Sequence, residues 1–208
     1  MLMTDLFIDK TSNMWINLLL MRRASAPSVT YATWNPSDKD AWVTLSNGNL
    51  TAVATANARK SARATLAKST GKWYREVKLD SNATNWHFMA WVCTSWATLS
   101  NYISVTSNWW VFYEDFAATP YKWNAWFAWY GSEFVPWDIL WIALDIWAWS
   151  LTFYRNNTSM WVAFASWVTG TLYPAISVYW TGSFVTANFG ATTMAYSPPS
   201  WYNQWFYN

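Results

Sequence analysis

Between residues 30 and 208 no stretch carries an amphipathic helical period of convincing length, and this limits the possible folds more than any other feature of the chain. What takes its place is roughly a dozen short strand-like runs, separated by turn signals at close spacing. A parallel α/β architecture needs crossover helices, so it is excluded. The pattern predicts an antiparallel sandwich of two sheets.

The clearest unit is residues 138–157. Residues 139–144 form an apolar run of strand length, and Leu151 and Phe153 fall on one face of the next strand with Thr152 and Tyr154 on the other. Asn156 and Asn157 supply a turn, because Asn tolerates a positive φ. Residues 72–79 alternate too, with Trp73, Arg75, Val77 and Leu79 on one face and Tyr74 and Glu76 on the other. Further strands are predicted near 43–45, 50–55, 63–66, 87–94, 111–116, 162–164, 172–179 and 184–189. Residues 30–40 read as a loop entering the domain, 98–103 as a polar-aromatic loop, and 121–137 as a Trp-rich stretch without a predicted strand.

Residues 1–30 read as an N-terminal arm, helical or disordered, ahead of one domain over 31–208. The apolar segment 14–21 is short, and its charges, Arg22 and Arg23, follow it rather than precede it, which argues against a signal peptide. No run approaches the length of a membrane span. Eleven Lys/Arg against five Asp/Glu lie in residues 1–78, and two against six in 79–208. The basic residues Arg59, Lys60, Arg63, Lys68, Lys72, Arg75 and Lys78 are spaced too widely for a nucleic-acid tail, so they read as a solvated strand face. Cys93 is the only cysteine, in a strand-like run where a buried, inert thiol is expected.

A resemblance to a known family emerges from the order of several segments: Gly71-Lys72-Trp73-Tyr74-Arg75-Glu76-Val77, then Val92-Cys93-Thr94, residues 138–145, Leu151-Thr152-Phe153-Tyr154-Arg155-Asn156-Asn157, Leu172-Tyr173-Pro174-Ala175 and Asn188-Phe189-Gly190. Over residues 31–208 this succession resembles the SPRY domain, in the stand-alone form of bacterial and bacteriophage proteins. The resemblance implies an all-β, concanavalin-like bent antiparallel β-sandwich of two sheets, which binds partners through loops at one end and has no catalysis of its own. A setting in a phage particle, with the arm as tether, or in the bacterial cytoplasm, follows from the same resemblance.

The departures from the family are systematic. Where its sequences carry Gly, this chain carries Trp86, Trp91, Trp96, Trp109, Trp137, Trp141, Trp149, Trp161, Trp167, Trp180, Trp201 and Trp205, whereas Trp73 and Trp110 stand where the family has an aromatic. A chain of this length averages about 15 Gly, but this one has 6 Gly and 21 Trp. One explanation covers both departures: a gene that reads UGA as Gly, translated with UGA as Trp. The competing reading is a Trp-rich stacking surface, whose aromatics would cluster rather than scatter over turns and strand ends.

Catalysis finds little footing. His87 is the only histidine, which leaves no triad and no zinc set. A glycosidase of this architecture needs two carboxylates across a cleft, at i and i+2 of one strand. Glu114 and Asp115 are adjacent, Asp138 and Asp145 are seven apart, and Asp38-Lys39-Asp40 lies in the expected entry loop, where a calcium or turn role is also open. The expectation is therefore a non-enzyme without cofactor or metal that binds a protein partner, with a cell-surface glycan as the alternative and a glycoside hydrolase as the second. Its candidate ligand-binding residues are aromatic and polar loop residues: Asn101, Tyr102, Tyr113, Glu114, Asp115, Tyr121 and Lys122.

Overall fold

A computed structural model describes residues 28–80, 88–100, 109–114, 120–124 and 126–207. Its strands in chain order are β1 (Thr30–Tyr31), β2 (Trp34–Lys39), β3 (Val43–Ser46), β4 (Thr51–Ala54), β5 (Lys60–Ala64), β6 (Lys72–Leu79), β7 (Phe88–Cys93), β8 (Trp109–Glu114), β9 (Pro120–Asn124), β10 (Trp126–Trp129), β11 (Ile139–Asp145), β12 (Ser150–Arg155), β13 (Thr158–Phe164), β14 (Tyr173–Val178), β15 (Phe184–Asn188), β16 (Asn203–Gln204) and β17 (Phe206–Tyr207). No helix occurs among the described residues.

Two large sheets carry the fold. One has the order β10-β9-β8-β7-β14-β5-β2, the other β13-β12-β11-β6-β15-β4-β3. Every pairing within them is antiparallel except that of β16, which joins β6 in parallel at Trp73↔Asn203 and Tyr74↔Gln204. On that same edge β6 pairs β15 from Glu76 to Leu79, so two segments share one side of a central strand.

The predicted alternation decides which side chains enter the core. Arg75, Val77 and Leu79 of β6, Leu140, Ile142 and Leu144 of β11, and Leu151 and Phe153 of β12 are all buried. They meet Trp34, Phe88, Ala90, Val92, Ile176 and Val178 from the other sheet. Each such Leu, Ile or Phe contributes about 1.5–3 kcal/mol when it leaves water. Trp34 also donates its Nε1–H to the Leu50 carbonyl at 2.9 Å and meets Phe189 edge-on at 5.1 Å.

Three expectations are corrected. Residues 30–40 are not an entry loop: they form β1 and β2, and β2 pairs β5 through Trp34↔Ala64 and Lys39↔Ala62. Asp38 and Asp40 accordingly serve as ion-pair partners, Asp38 to Arg63 at 2.7 Å and Asp40 to Lys60 at 3.4 Å. Residues 120–129, expected to lack a strand, form β9 and β10, which pair through Asn124↔Trp126 with residue 125 alone between them. The basic residues are not all on a solvated face either. Arg63 is buried against Asp38, and Arg75 is wholly buried, donating through Nη2 to the carbonyls of Trp91 and Ala175 at 3.0 Å each. The rings of Trp34 and Phe189 lie 5.4 and 5.8 Å from its guanidinium, while Nε and Nη1 find no partner among the described residues. Burial lowers its pKa to about 9.

The turns show what the backbone asks of particular positions. The nine non-glycine residues at positive φ among the described residues are four Asn and five Trp. Asn156 and Asn157, at φ 46° and 71°, make the expected two-residue hairpin connection between β12 and β13. In the turn 135–138 the Asp138 N–H donates to the Val135 carbonyl at 3.1 Å, with Pro136 second and Trp137 third at φ 73°. A type II turn reserves that third position for Gly. Turn 199–202 repeats the arrangement with Trp201 at φ 71°, while turn 180–183 has Gly182 there at φ 85°. Trp161, at φ 69°, sits where the β12–β13 register slips between Thr152↔Val162 and Tyr154↔Ser159, a bulge position of the kind Gly fills. Trp149 and Trp167 complete the set at φ 55° and 69°.

Candidate functional site

The rim where β6 ends and β11 begins is the best organised of the loop surfaces, and its organiser is Asp138. This carboxylate precedes β11 and accepts three donors: the Val135 N–H at 2.9 Å, Arg155 Nε at 2.6 Å, and Asn156 Nδ2. Asn156 returns the favour to the strand, accepting the Ile139 N–H on its Oδ1 at 2.9 Å. A charge-assisted cluster of this kind fixes the two-residue turn and the Arg155 side chain in one arrangement.

Beside it lies a cleft of about 520 Å³, lined by Gly131, Ser132, Arg155, Asn156 and residues 158–161. Met160 is its buried floor. Gly131 has φ 77°, and a Cβ there would stand 2.7 Å from Met160 Sδ, so this position accepts only Gly. The wall behind the cleft is equally fixed. Tyr130 donates its hydroxyl to the Trp161 carbonyl at 2.6 Å and accepts the Phe153 N–H at 3.3 Å. Burial raises the Tyr130 pKa, so the phenol remains a donor. Arg155 contributes a cation whose Nη groups take no hydrogen bond among the described residues, and Ser132, Thr158 and Ser159 add hydroxyls. This set of groups suits carboxylates and amides of a peptide.

A second groove, of about 500 Å³, lies on the outer face of the β6 sheet between Asn47, Lys78, Asp80, Thr186, Asn188 and Thr192. Glu76, at its end, is already committed: its carboxylate accepts the N–H groups of Ala195 and Tyr196 at 2.9 and 3.0 Å and the Tyr74 hydroxyl at 2.7 Å. Asp38, Asp40, Asp80, Asp138 and Asp145 are each paired with a cation.

The candidate residues read from the sequence are distributed differently. Asn101, Tyr102 and Asp115 lie outside the described residues, as does His87. Tyr113, Glu114, Tyr121 and Lys122 are not loop residues, which corrects the expectation: they belong to β8 and β9, where Tyr113 pairs Tyr121 and Glu114 pairs Pro120. Their neighbours explain why. Tyr121 packs its ring on Trp129 at 5.0 Å, and Lys122 donates to the Ala163 carbonyl with its amine 5.6 Å from the rings of Tyr130 and Phe164, bracing one sheet against the other. The connection carrying Asn101 and Tyr102 starts from the Cys93↔Trp109 pair, at the end of the sheet opposite the Glu114↔Pro120 pair. Cys93 is a buried free thiol whose pKa burial pushes up to about 12, as expected of an inert residue.

Asp138, Arg155 and Asn156 were visible in the sequence only as strand ends and turn residues. The signal that could have raised them is a charged pair flanking a hairpin whose turn residue also carries a side-chain amide.

Comparison with known proteins supplies the wider context. A family model for the SPRY domain matches residues 72–192. The SPRY domain of human HERC1 superposes with a TM-score of 0.66 at 18% identity, covering 77% of this chain and 99% of that one. The TRIM65 PSpry domain gives 0.61 at 13% identity, with 76% and 92% covered. Stonustoxin gives 0.58 at 18% identity, with 76% of this chain and 27% of the toxin chain covered. No curated protein matches the sequence significantly.

Proposed function

Because this chain belongs to the SPRY domain family, we propose that it is a non-catalytic recognition module that holds a protein partner at the Asp138–Arg155 rim of its sandwich. SPRY domains are protein-interaction modules. The observation that carries the reading is the cleft beside Arg155: a rigid, half-polar depression whose cation and hydroxyls are held in place by the strands behind it. Thr158→Glu and Ser159→Lys alter its lip without touching the Asp138 cluster. A protein captured by the parent chain and released by both variants supports the proposal. Binding on a glycan array with no protein partner overturns it in favour of the lectin alternative.

The reading includes two finer points. The natural chain carries Gly where Trp137, Trp149, Trp161, Trp167 and Trp201 stand; the support is that each occupies a left-handed backbone position, where a bulky side chain is an outlier and Gly is at ease. UGG codons at those five positions in the gene would end this idea. The domain rides on a bacteriophage particle, tethered through residues 1–30, a reading that rests on the resemblance to stand-alone domains; a peptide inventory of purified virions tests it.

A further inference from the structure

Away from the rim, the outer face of the β6 sheet holds a box of tyrosines. Trp141 of β11 is 3% exposed. Its indole stacks on Tyr154 of β12 at 4.8 Å and 22°, meets Tyr74 of β6 edge-on at 5.2 Å and 84°, and leans on Tyr196 at 5.4 Å. The walls do not depend on the indole. Trp141 pairs Tyr154 and Glu76 across the ladder, which places the flanking strands. Tyr196 belongs to a strap held by the bonds from Ala195 and Tyr196 to Glu76, and Tyr74 is fixed by its own bond to that carboxylate. The indole fits the box in shape but not in polarity: its Nε1 is buried with no hydrogen-bond partner among the described residues.

Position 141 is one of those where the family carries Gly. We propose that in the chain with Gly at 141 this box is a binding site for a planar aromatic side chain of the protein partner. The inference rests on the Gly reading given above, and the two fail separately, since the codon is read from the gene and the box is probed by a ligand.

The class of occupant follows from the walls. One face stacks and another presents a ring to an edge, contacts that reward a flat π-system over an aliphatic group. A sugar would bury hydroxyls against a Tyr74 hydroxyl already committed to Glu76. A cavity walled by aromatic faces holds an aromatic guest rather than water.

The test uses the full chain with Trp141→Gly, and Trp141→Ala should the first fail to fold, each melted with free indole, with cyclohexanol and alone. Both variants should melt below the parent. Indole at about ten times its Kd should raise their midpoint by roughly 3–6 °C, cyclohexanol by far less, and neither should move the parent. A peptide bearing one Trp should compete with indole. Indifference to indole, which would mean that Tyr196 has closed over the slot, overturns the proposal; so does an equal response to cyclohexanol, or an equal response of the parent.

Discussion

Replacing Trp161, Trp167 and Trp201 with Gly should stabilise the fold, although each change deletes the largest natural side chain. The three are 82%, 80% and 87% exposed, so their indoles have little contact to lose. Each stands at φ between 69° and 71°, a conformation that costs a residue with a Cβ about 1–2 kcal/mol and costs Gly nothing in sterics. Against this, Gly loses about 0.5–1 kcal/mol more chain entropy on folding. The balance is a gain of about 0.5–1 kcal/mol per site. With no contact between these sites the triple variant should gain about 2–3 kcal/mol, a rise of roughly 4–12 °C in the thermal midpoint. Urea titration of the three single variants and the triple measures it. Trp34→Gly is the internal control: Trp34 is fully buried and absent from the positive-φ set, so that change should cost about 3–5 kcal/mol. If the exposed replacements lower the midpoint, the left-handed strain argument is refuted.

Four further outcomes follow from the same geometry. Asp138→Ala should cost about 2–3 kcal/mol, because it strands the Arg155 guanidinium and the Val135 N–H together, and a denaturant midpoint reads this. Arg75→Met should stabilise by about 1–3 kcal/mol, since a charge buried without a carboxylate is traded for apolar volume; because the lowered pKa of Arg75 weighs against the fold at pH below about 9, the advantage should shrink as pH rises above that value, and pH-resolved unfolding checks it. Tyr74, raised by burial and then by Glu76, contributes stability that is full below pH 10, its unfolded value, and is lost above it at about 1.4 kcal/mol per pH unit; Tyr74→Phe should flatten that alkaline decline. Cys93 should resist iodoacetamide in the folded chain at pH 8 and react fully in urea, as mass spectrometry can show.

The sandwich was legible because period-two alternation survives at β6, β11 and β12, where Val77, Leu140 and Phe153 point inward as their positions require. What stayed hidden was β2, because Asn35-Pro36-Ser37-Asp38 has the composition of a loop, and its pairing depends on a distant ion pair with Arg63. β9 and β10 were masked by Trp density in a stretch whose turn is one residue long. Arg75 was placed on the correct face by alternation, but no local signal says that an arginine on an inward face will remain there; the carbonyls that hold it lie 16 and 100 residues away. The rim was half visible: the Asn156–Asn157 turn announces itself, whereas the convergence of Val135, Arg155 and Asn156 on one carboxylate exists only after β11 and β12 have paired.

The parallel pairing of β16 on β6 bears on how the chain is made. The edge of β6 at Trp73 and Tyr74 stays open until Asn203 and Gln204 reach it, and Trp205 then seals the interior by donating its backbone N–H to the Tyr74 carbonyl and its Nε1–H to the Leu66 carbonyl. A strand synthesised early thus waits for residues synthesised some 130 positions later. Folding of this domain completes only after residue 205 has emerged from the ribosome, and the nascent chain is a natural client for chaperones that shield unpaired strand edges.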